Sequence, residues 1–409
     1  MRLNYIIALS LLAVGARAQD LAVVGGRIEI GNGKSLNKGT VLIRGGKITA
    51  VGENVAVPSG VSTLDATGQV VYPGFIDACT TSGLKLPAAP ETPAPRDITA
   101  AAPPTMWEKN RRGIFGRNDA SSALDLAGSL ADAHKAGITA ALFAPGSGLV
   151  RGQMAVGFMT DTKQTAQPFG YGLSFRGTGG TGYPGTLLGF TALLRQTIAD
   201  AEAYNRVSGP SEDLDLKGMA PLVKKSTPAV FFVDSDTEIY RALSIADEFG
   251  FTPILVGARD AYLRAEQLVK RKVPVLVNIN VGSEPGLTSQ ADGPPKEVLE
   301  ERRADWRERA TNVQKLDAAN VLFAFSSESG NYDNHLSNVR RLIQLGLKKD
   351  AALRGLTINP ATVFEREKDL GTVEVGKFGN LTLMSGDFAD GNSKVTSVVV
   401  AGKRFEVKP

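Results

Sequence analysis

Few side chains in this sequence can carry chemistry. Asp234 and Asp236 follow one apolar run, 228–233, and Glu328 follows another, 321–325. A carboxylate just past a strand end suits general acid–base work, in which a positioned side chain gives or takes a proton. The same two aspartates also suit the N-cap of a helix over 238–249, because short acids accept from free N–H groups at that position. Cys79 is the only cysteine, and His134 and His335 are the only histidines. Zinc needs at least three protein ligands in fixed geometry, so a zinc site here would have to combine Cys79, Glu328 and His335. His134 lies in the last turn of a helix, where an imidazole more often meets the helix dipole than a metal.

The bulk composition sets limits on function. The 409 residues carry 46 basic and 42 acidic side chains, a net charge of +4, with 43% hydrophobic and 22% charged residues. Acids and bases are interspersed, as at 300–309, which is the pattern of solvated helix faces and gives no reason to expect nucleic acid. Arg2, an apolar run over 6–14 and Ala16-Arg17-Ala18 form the succession of a secretory signal peptide over 1–18. Periplasmic or extracellular location follows from that reading. No other stretch has the ~20 apolar residues that span a membrane. A lone cysteine cannot form an internal disulfide, and the apolar setting of Cys79 favours a buried thiol.

Positioning these residues falls to two kinds of element. Short glycine-punctuated runs at 21–30, 39–43 and 47–52 read as antiparallel strands, and a matching set lies at 381–384, 395–401 and 403–407. Neither set suffices for a core of its own, so together they predict one small β-sandwich built from 19–70 and 371–409. Over 71–370, strands alternate with helices, which implies parallel strands joined by βα units. The strand candidates are 70–76, 138–144, 154–159, 171–175, 229–233, 252–256, 273–278 and 321–325, eight in all, as an α/β (β/α)8 barrel needs. Helices are expected over 186–207, 238–249, 334–345 and 350–364. The proline-rich stretch 86–105 reads as an extended surface loop.

Motifs at both ends of this barrel carry a resemblance. Pro73-Gly74-Phe75-Ile76-Asp77 is similar to the opening of the metal-dependent amidohydrolases of the imidazolonepropionase and urease type, where His-x-His follows. Leu356-Thr357-Ile358-Asn359-Pro360-Ala361, with Gly371-Thr372-Val373-Glu374-Val375-Gly376-Lys377 after it, resembles that superfamily's last helix and its return to the small domain. The resemblance implies a barrel with a composite β domain and hydrolysis of carbon–nitrogen bonds at a metal pair. It also implies that the ligand positions here hold Cys79, Thr81, Phe232 and Gly257, with Glu328 in the region of the proton-shuttling aspartate. No metal is therefore expected, zinc being the alternative, and the chain reads as a divergent member that binds a ligand or partners a histidine-complete amidohydrolase relative.

Two other readings stay open. One is a working hydrolase with a divergent or metal-free site, using Glu328, Asp234 or Asp236. The other is nucleotide binding through Gly177-Thr178-Gly179-Gly180-Thr181-Gly182, which fits G-x-G-x-x-G. Tyr183-Pro184 delays the following helix, and Asp200 and Glu202 fall inside it where a strand end is required. A loop over the barrel mouth accounts for the glycines better. Arg111, Arg112, Arg117, Arg151 and Arg176 lie in or beside such mouth loops and are either carboxylate partners or solvated; His335 would sit on the same face, near Glu328 and Cys79.

The leader gives a first test. N-terminal sequencing of the exported protein is expected to begin at Gln19, and an intact Met1 in a cytoplasmic fraction would refute the leader.

Overall fold

The computed structural model describes residues 20–87, 113–162, 164, 166–176, 185–206, 213–287 and 293–407. The leader, most of the proline-rich stretch, Arg111, Arg112 and the loop 177–182 lie outside the described residues.

Both chain ends build one sheet. Its strands are β1 (Leu21–Glu29), β2 (Ser35–Arg44), β3 (Lys47–Gly52), β4 (Ser62–Asp65) and β5 (Val70–Pro73) from the first segment. The last segment adds strands we number β14 (Leu381–Met384), β15 (Val395–Val400) and β16 (Lys403–Glu406). The order is β16-β15-β14-β5-β1-β2-β3, with β4 on β1. The two segments meet where β14 runs antiparallel to β5, Leu381 opposite Pro73 and Met384 opposite Val70. All eight strands are hydrogen-bonded into a single sheet, where the sequence suggested a sandwich. The buried cluster beneath it mixes both segments, with Val23, Ile43 and Val71 packed among Leu381, Leu383 and Val399.

A second eight-stranded sheet forms the barrel: β6 (Phe75–Thr80), β7 (Ile138–Phe143), β8 (Val150–Phe158), β9 (Gln167–Ser174), β10 (Ala229–Val233), β11 (Pro253–Gly257), β12 (Val275–Asn278) and β13 (Phe323–Ser326), in sequential order. β7 is buried at all six positions, as expected of a strand covered on both faces. One expectation needs correcting. β8 runs antiparallel to both β7 and β9, so the barrel contains a meander in place of two βα units. The reason is length: a parallel crossover takes a dozen or more residues, and only 144–149 separate β7 from β8. The seam between β13 and β6 is closed by a parallel bridge of Thr80 with Glu328.

The run read as a single strand over 70–76 serves both sheets. β5 belongs to the composite sheet and β6 to the barrel, and the chain passes between them at Gly74. A Cβ on Gly74 would stand 2.2 Å from Thr139 Oγ1 on β7. The helix expected over 350–364 is also divided, into Lys349–Leu356 and Ile358–Val363, with Thr357 at φ −130° and ψ −87° between them. Pro360 accounts for the break, since its ring conflicts with the carbonyl four residues earlier and it has no N–H to donate.

Gly74→Ala should therefore destabilise the protein by roughly 1–3 kcal/mol, the usual cost of overpacking. Urea unfolding with an unchanged midpoint would show that β5 and β6 do not depend on this close approach.

Candidate site at the barrel mouth

The mouth lies at the C-terminal ends of the parallel strands. β10 brings Phe232 there, β11 ends on Gly257, and β6 carries Cys79 one residue before its end. β8 enters from the other direction, so its first residues are the ones at the mouth. Arg151 is the second of them, and its guanidinium lies over the Phe232 ring, 3.5 Å from the centroid. Arg151 Nε is buried without a hydrogen-bond partner. Burial lowers the Arg151 pKa to about 10, against the opposing pull of Cys79 and Glu328; the group still carries its charge at neutral pH.

Glu328 faces this cation. Its backbone adopts φ +52°, a left-handed conformation that costs a non-glycine residue about 1–2 kcal/mol. Neighbouring strand ends hold it there: Glu328 N–H donates to the Cys79 carbonyl at 2.9 Å, and its own carbonyl accepts from Thr81 N–H at 2.9 Å and from Thr81 Oγ1 at 2.9 Å. Ser326 Oγ donates to the Cys79 carbonyl as well, at 2.9 Å. Cys79 and Thr81 thus stitch the barrel closed. Glu328 Oε1 is buried and unbonded. Burial raises the Glu328 pKa, while a hydrogen bond from Asn278 and the charges of Arg259 and Arg151 oppose the rise. The Cys79 thiol is pushed well up by burial and then by Asp77 and Glu328, so it is held protonated.

Gly257 is a tight point in this packing. It has φ +85°, and a Cβ there would lie 2.7 Å from the Val233 carbonyl and 3.0 Å from Glu328 Oε1. No larger residue fits without moving the glutamate. Arg151, Arg176, Arg259, Asp234 and Glu328 surround a pocket of about 100 Å³ over Phe232 and Gly257. Arg259 pairs with Asp234 at 3.1 Å, and Arg176 reaches Glu238 at 3.6 Å.

Several candidates fall elsewhere. Neither Asp234 nor Asp236 is the helix cap: the helix is Asp236–Phe249, it starts two residues before the expected position, and Ser235 caps it in a reciprocal box with Glu238. Asp236 is clamped by Arg264 through two bonds of 2.6 and 2.8 Å, while Asp234 stays at the mouth. Arg117 grips Asp215 at 3.0 and 2.6 Å, a structural clamp and not a mouth cation. His134 Nε2 meets the Met159 carbonyl at 2.8 Å, and its ring packs on Phe405 of the composite sheet at 4.6 Å.

His335 is not brought into a metal set with Glu328 and Cys79. It is buried with both ring nitrogens unbonded, lies edge-on to Tyr332 at 5.9 Å, and lines a different cavity of about 180 Å³ with Asn331, Asn334 and Asn338. Burial lowers its pKa to about 4, so the ring is neutral at pH 7. Among the described residues, no three His, Cys, Asp or Glu side chains are gathered as metal ligands. The metal pair implied by the sequence resemblance does not fit the residues present, because Phe232 has no donor atom and lies under a guanidinium and Gly257 has no room for a donor.

Asp77 has a role that sequence reasoning missed. It is fully buried on β6. Oδ1 accepts from Cys79 N–H at 3.2 Å and Ser327 N–H at 2.9 Å, and Oδ2 accepts from Ser327 Oγ and, at 2.9 Å, from Tyr332 Oη. This carboxylate fastens the segment after β13 to β6. A charged residue within an apolar strand was the available signal.

An eight-stranded barrel joined to a sheet drawn from both chain ends is an architecture that recurs among solved structures. Residues 300–405 match the profile of the Amidohydrolase family. An amidohydrolase from Thermotoga maritima MSB8 aligns over 94% of this chain and 100% of its own, at 21% identity and TM-score 0.76. Molinate hydrolase aligns over 96% of each chain at 16% identity and TM-score 0.57. A putative prolidase from Bifidobacterium longum aligns over 95% of each at 14% identity and TM-score 0.54. No curated protein gives a significant sequence match. The chain shares the fold of these structures, and residues 300–405, about a quarter of it, match the Amidohydrolase profile.

Asp77 makes the site's pH behaviour testable. Burial raises its pKa from 3.8 to about 6 in the fold, against the hydrogen bonds of Ser327, Tyr332 and Cys79. The folded state then binds the proton more tightly than the unfolded chain, so this contribution is complete below pH 4 and is lost as pH rises through about 6. The loss is on the order of 2–3 kcal/mol. Asp77→Asn should remove that component, measured as urea-unfolding free energy at pH 4 to 7 relative to wild type. Parallel profiles would show that Asp77 has no such shift.

Proposed function

We propose that this exported protein binds small carboxylates at the barrel mouth, with a guanidinium where its hydrolytic relatives use metal. The observation that carries this is Arg151, buried on the Phe232 ring with Nε left without a partner. A buried cation is costly until an anion joins it. Cation–π contact offsets part of that cost, about 2 kcal/mol when desolvated, and a carboxylate would supply the remaining partner. Arg176 and Arg259 line the same pocket, where they already pair with Glu238 and Asp234, so Arg151 is the mouth cation in need of a partner. In this reading hydrolysis has been lost, and the protein serves as a ligand-binding or partner subunit beside a histidine-complete relative.

A second reading rests on Glu328, whose buried, unbonded Oε1 and raised pKa suit a general acid. The chain would then be a metal-free hydrolase of carbon–nitrogen bonds, in keeping with the hydrolases and prolidases among its structural neighbours.

Isothermal titration of the purified mature protein should show saturable binding of monocarboxylates and none of the matching amides. Arg151→Gln should weaken it about 10- to 100-fold, the range for a hydrogen bond to a charged group, with an unchanged circular dichroism spectrum. Amide hydrolysis abolished by Glu328→Gln would favour the second reading, and stoichiometric zinc after chelator-free purification would overturn the first.

A further inference from the structure

A larger cavity, of about 310 Å³, adjoins the mouth between the end of β12 and the helix Lys296–Ala310. The helix sequence explains why it exists. Lys-Glu-Val-Leu-Glu-Glu-Arg-Arg-Ala-Asp-Trp-Arg-Glu-Arg-Ala is charged all round, and Ala310 is its one fully buried residue. A helix without an apolar face has little to press into a core, so this one stands off the barrel. Polar contacts hold it in place. Trp306 Nε1 donates to the Val281 carbonyl at 2.7 Å, Arg307 pairs with Glu284 at 3.0 Å, and Arg309 pairs with Asp260 at 3.0 Å.

The space beneath has two chemistries. Val277, Val281, Val313, Ala310 and the Trp306 indole give it an apolar wall, while Arg259, Arg302 and Arg309 outnumber Asp305 around it. Arg259 lines this cavity and the mouth pocket together. The three guanidinium groups, two of them already paired with Asp234 and Asp260, offer no site for a cation, and a purely polar ligand would leave the valine wall bare. A cavity of about 150 Å³ already accepts benzene, so this one has room for an aryl or branched alkyl group.

We infer that the cavity under helix Lys296–Ala310 receives the apolar part of the ligand whose carboxylate sits at Arg151. The ligand class is then an amphipathic organic acid: a carboxylate carrying an aryl or branched alkyl group. This rests on the carboxylate reading of the mouth.

The test uses the full mature chain with Trp107→Phe, which leaves Trp306 as the sole tryptophan, and three probes: acetate, 3-phenylpropionate and 3-phenylpropionamide. By titration calorimetry, 3-phenylpropionate should bind at least tenfold more tightly than acetate, and it alone of the two acids should shift Trp306 fluorescence. Val313→Phe, which fills the cavity, should bring 3-phenylpropionate down to the affinity of acetate and leave acetate unchanged. The fluorescence response of unsubstituted Val313 protein decides the matter if that variant does not fold. Equal affinities for the two acids with no Trp306 response would overturn the inference and leave the mouth reading standing. A Trp306 response to the amide without any acetate binding would overturn the mouth reading, and with it the link between the two pockets.

Discussion

A barrel sheet is free of edges only if its last strand finds its first, and in this chain that meeting is made by polar groups. β13 and β6 are joined through the backbone of Glu328, which bridges Cys79 and Thr81, and through Asp77, which gathers Ser327 and Tyr332 from beyond β13. The closure fixes where the Glu328 carboxylate points, and so decides what the mouth contains. Glu328 fills the space that a side chain on Gly257 would need. Residues that the sequence offered as chemical candidates are in large part fasteners.

Arg151 follows from the same geometry. A guanidinium removed from water loses several kcal/mol of hydration, and a lone aromatic ring returns only part of it. The mouth compensates with Glu328 nearby and with Phe232 beneath. The arrangement holds one positive charge in a low-dielectric pocket, where a metal would hold two or more. Among the described residues, no three His, Cys, Asp or Glu side chains are gathered of the kind that lets a metal lower the pKa of a bound water.

Most of the barrel strands lie close to where the apolar runs put them, because burial on both faces leaves a continuous apolar signal, but the first lies at Phe75–Thr80 where 70–76 was expected. Strand direction is not written in that signal. The reversal of β8 depended on the short link 144–149, and with it the promotion of Arg151 from loop cation to centre of the mouth. Glu328 was legible as an acid at a strand end. Its backbone role was not, since its partners lie 247 residues away in sequence. Asp236 and Arg117 looked available in one dimension, but Arg264 and Asp215 claim them in three. His335 was expected near Glu328, and the packing shows that it lines a cavity apart from it.

The β7–β8–β9 meander has a consequence for how the chain reaches this state. Its ladders join neighbours in sequence through short turns, so they require little loop closure and can form early. The seam of β13 with β6 joins residues some 250 apart, and chain entropy delays it until the strands between are in place. The composite sheet is subject to the same delay, because β5 must wait for β14, which lies about 300 residues further along. Both long-range closures converge on the ten residues from Val70 to Cys79. The same segment also pairs with strands much nearer in sequence, β5 with β1 and β6 with β7, so short- and long-range contacts meet in the segment that sets the mouth.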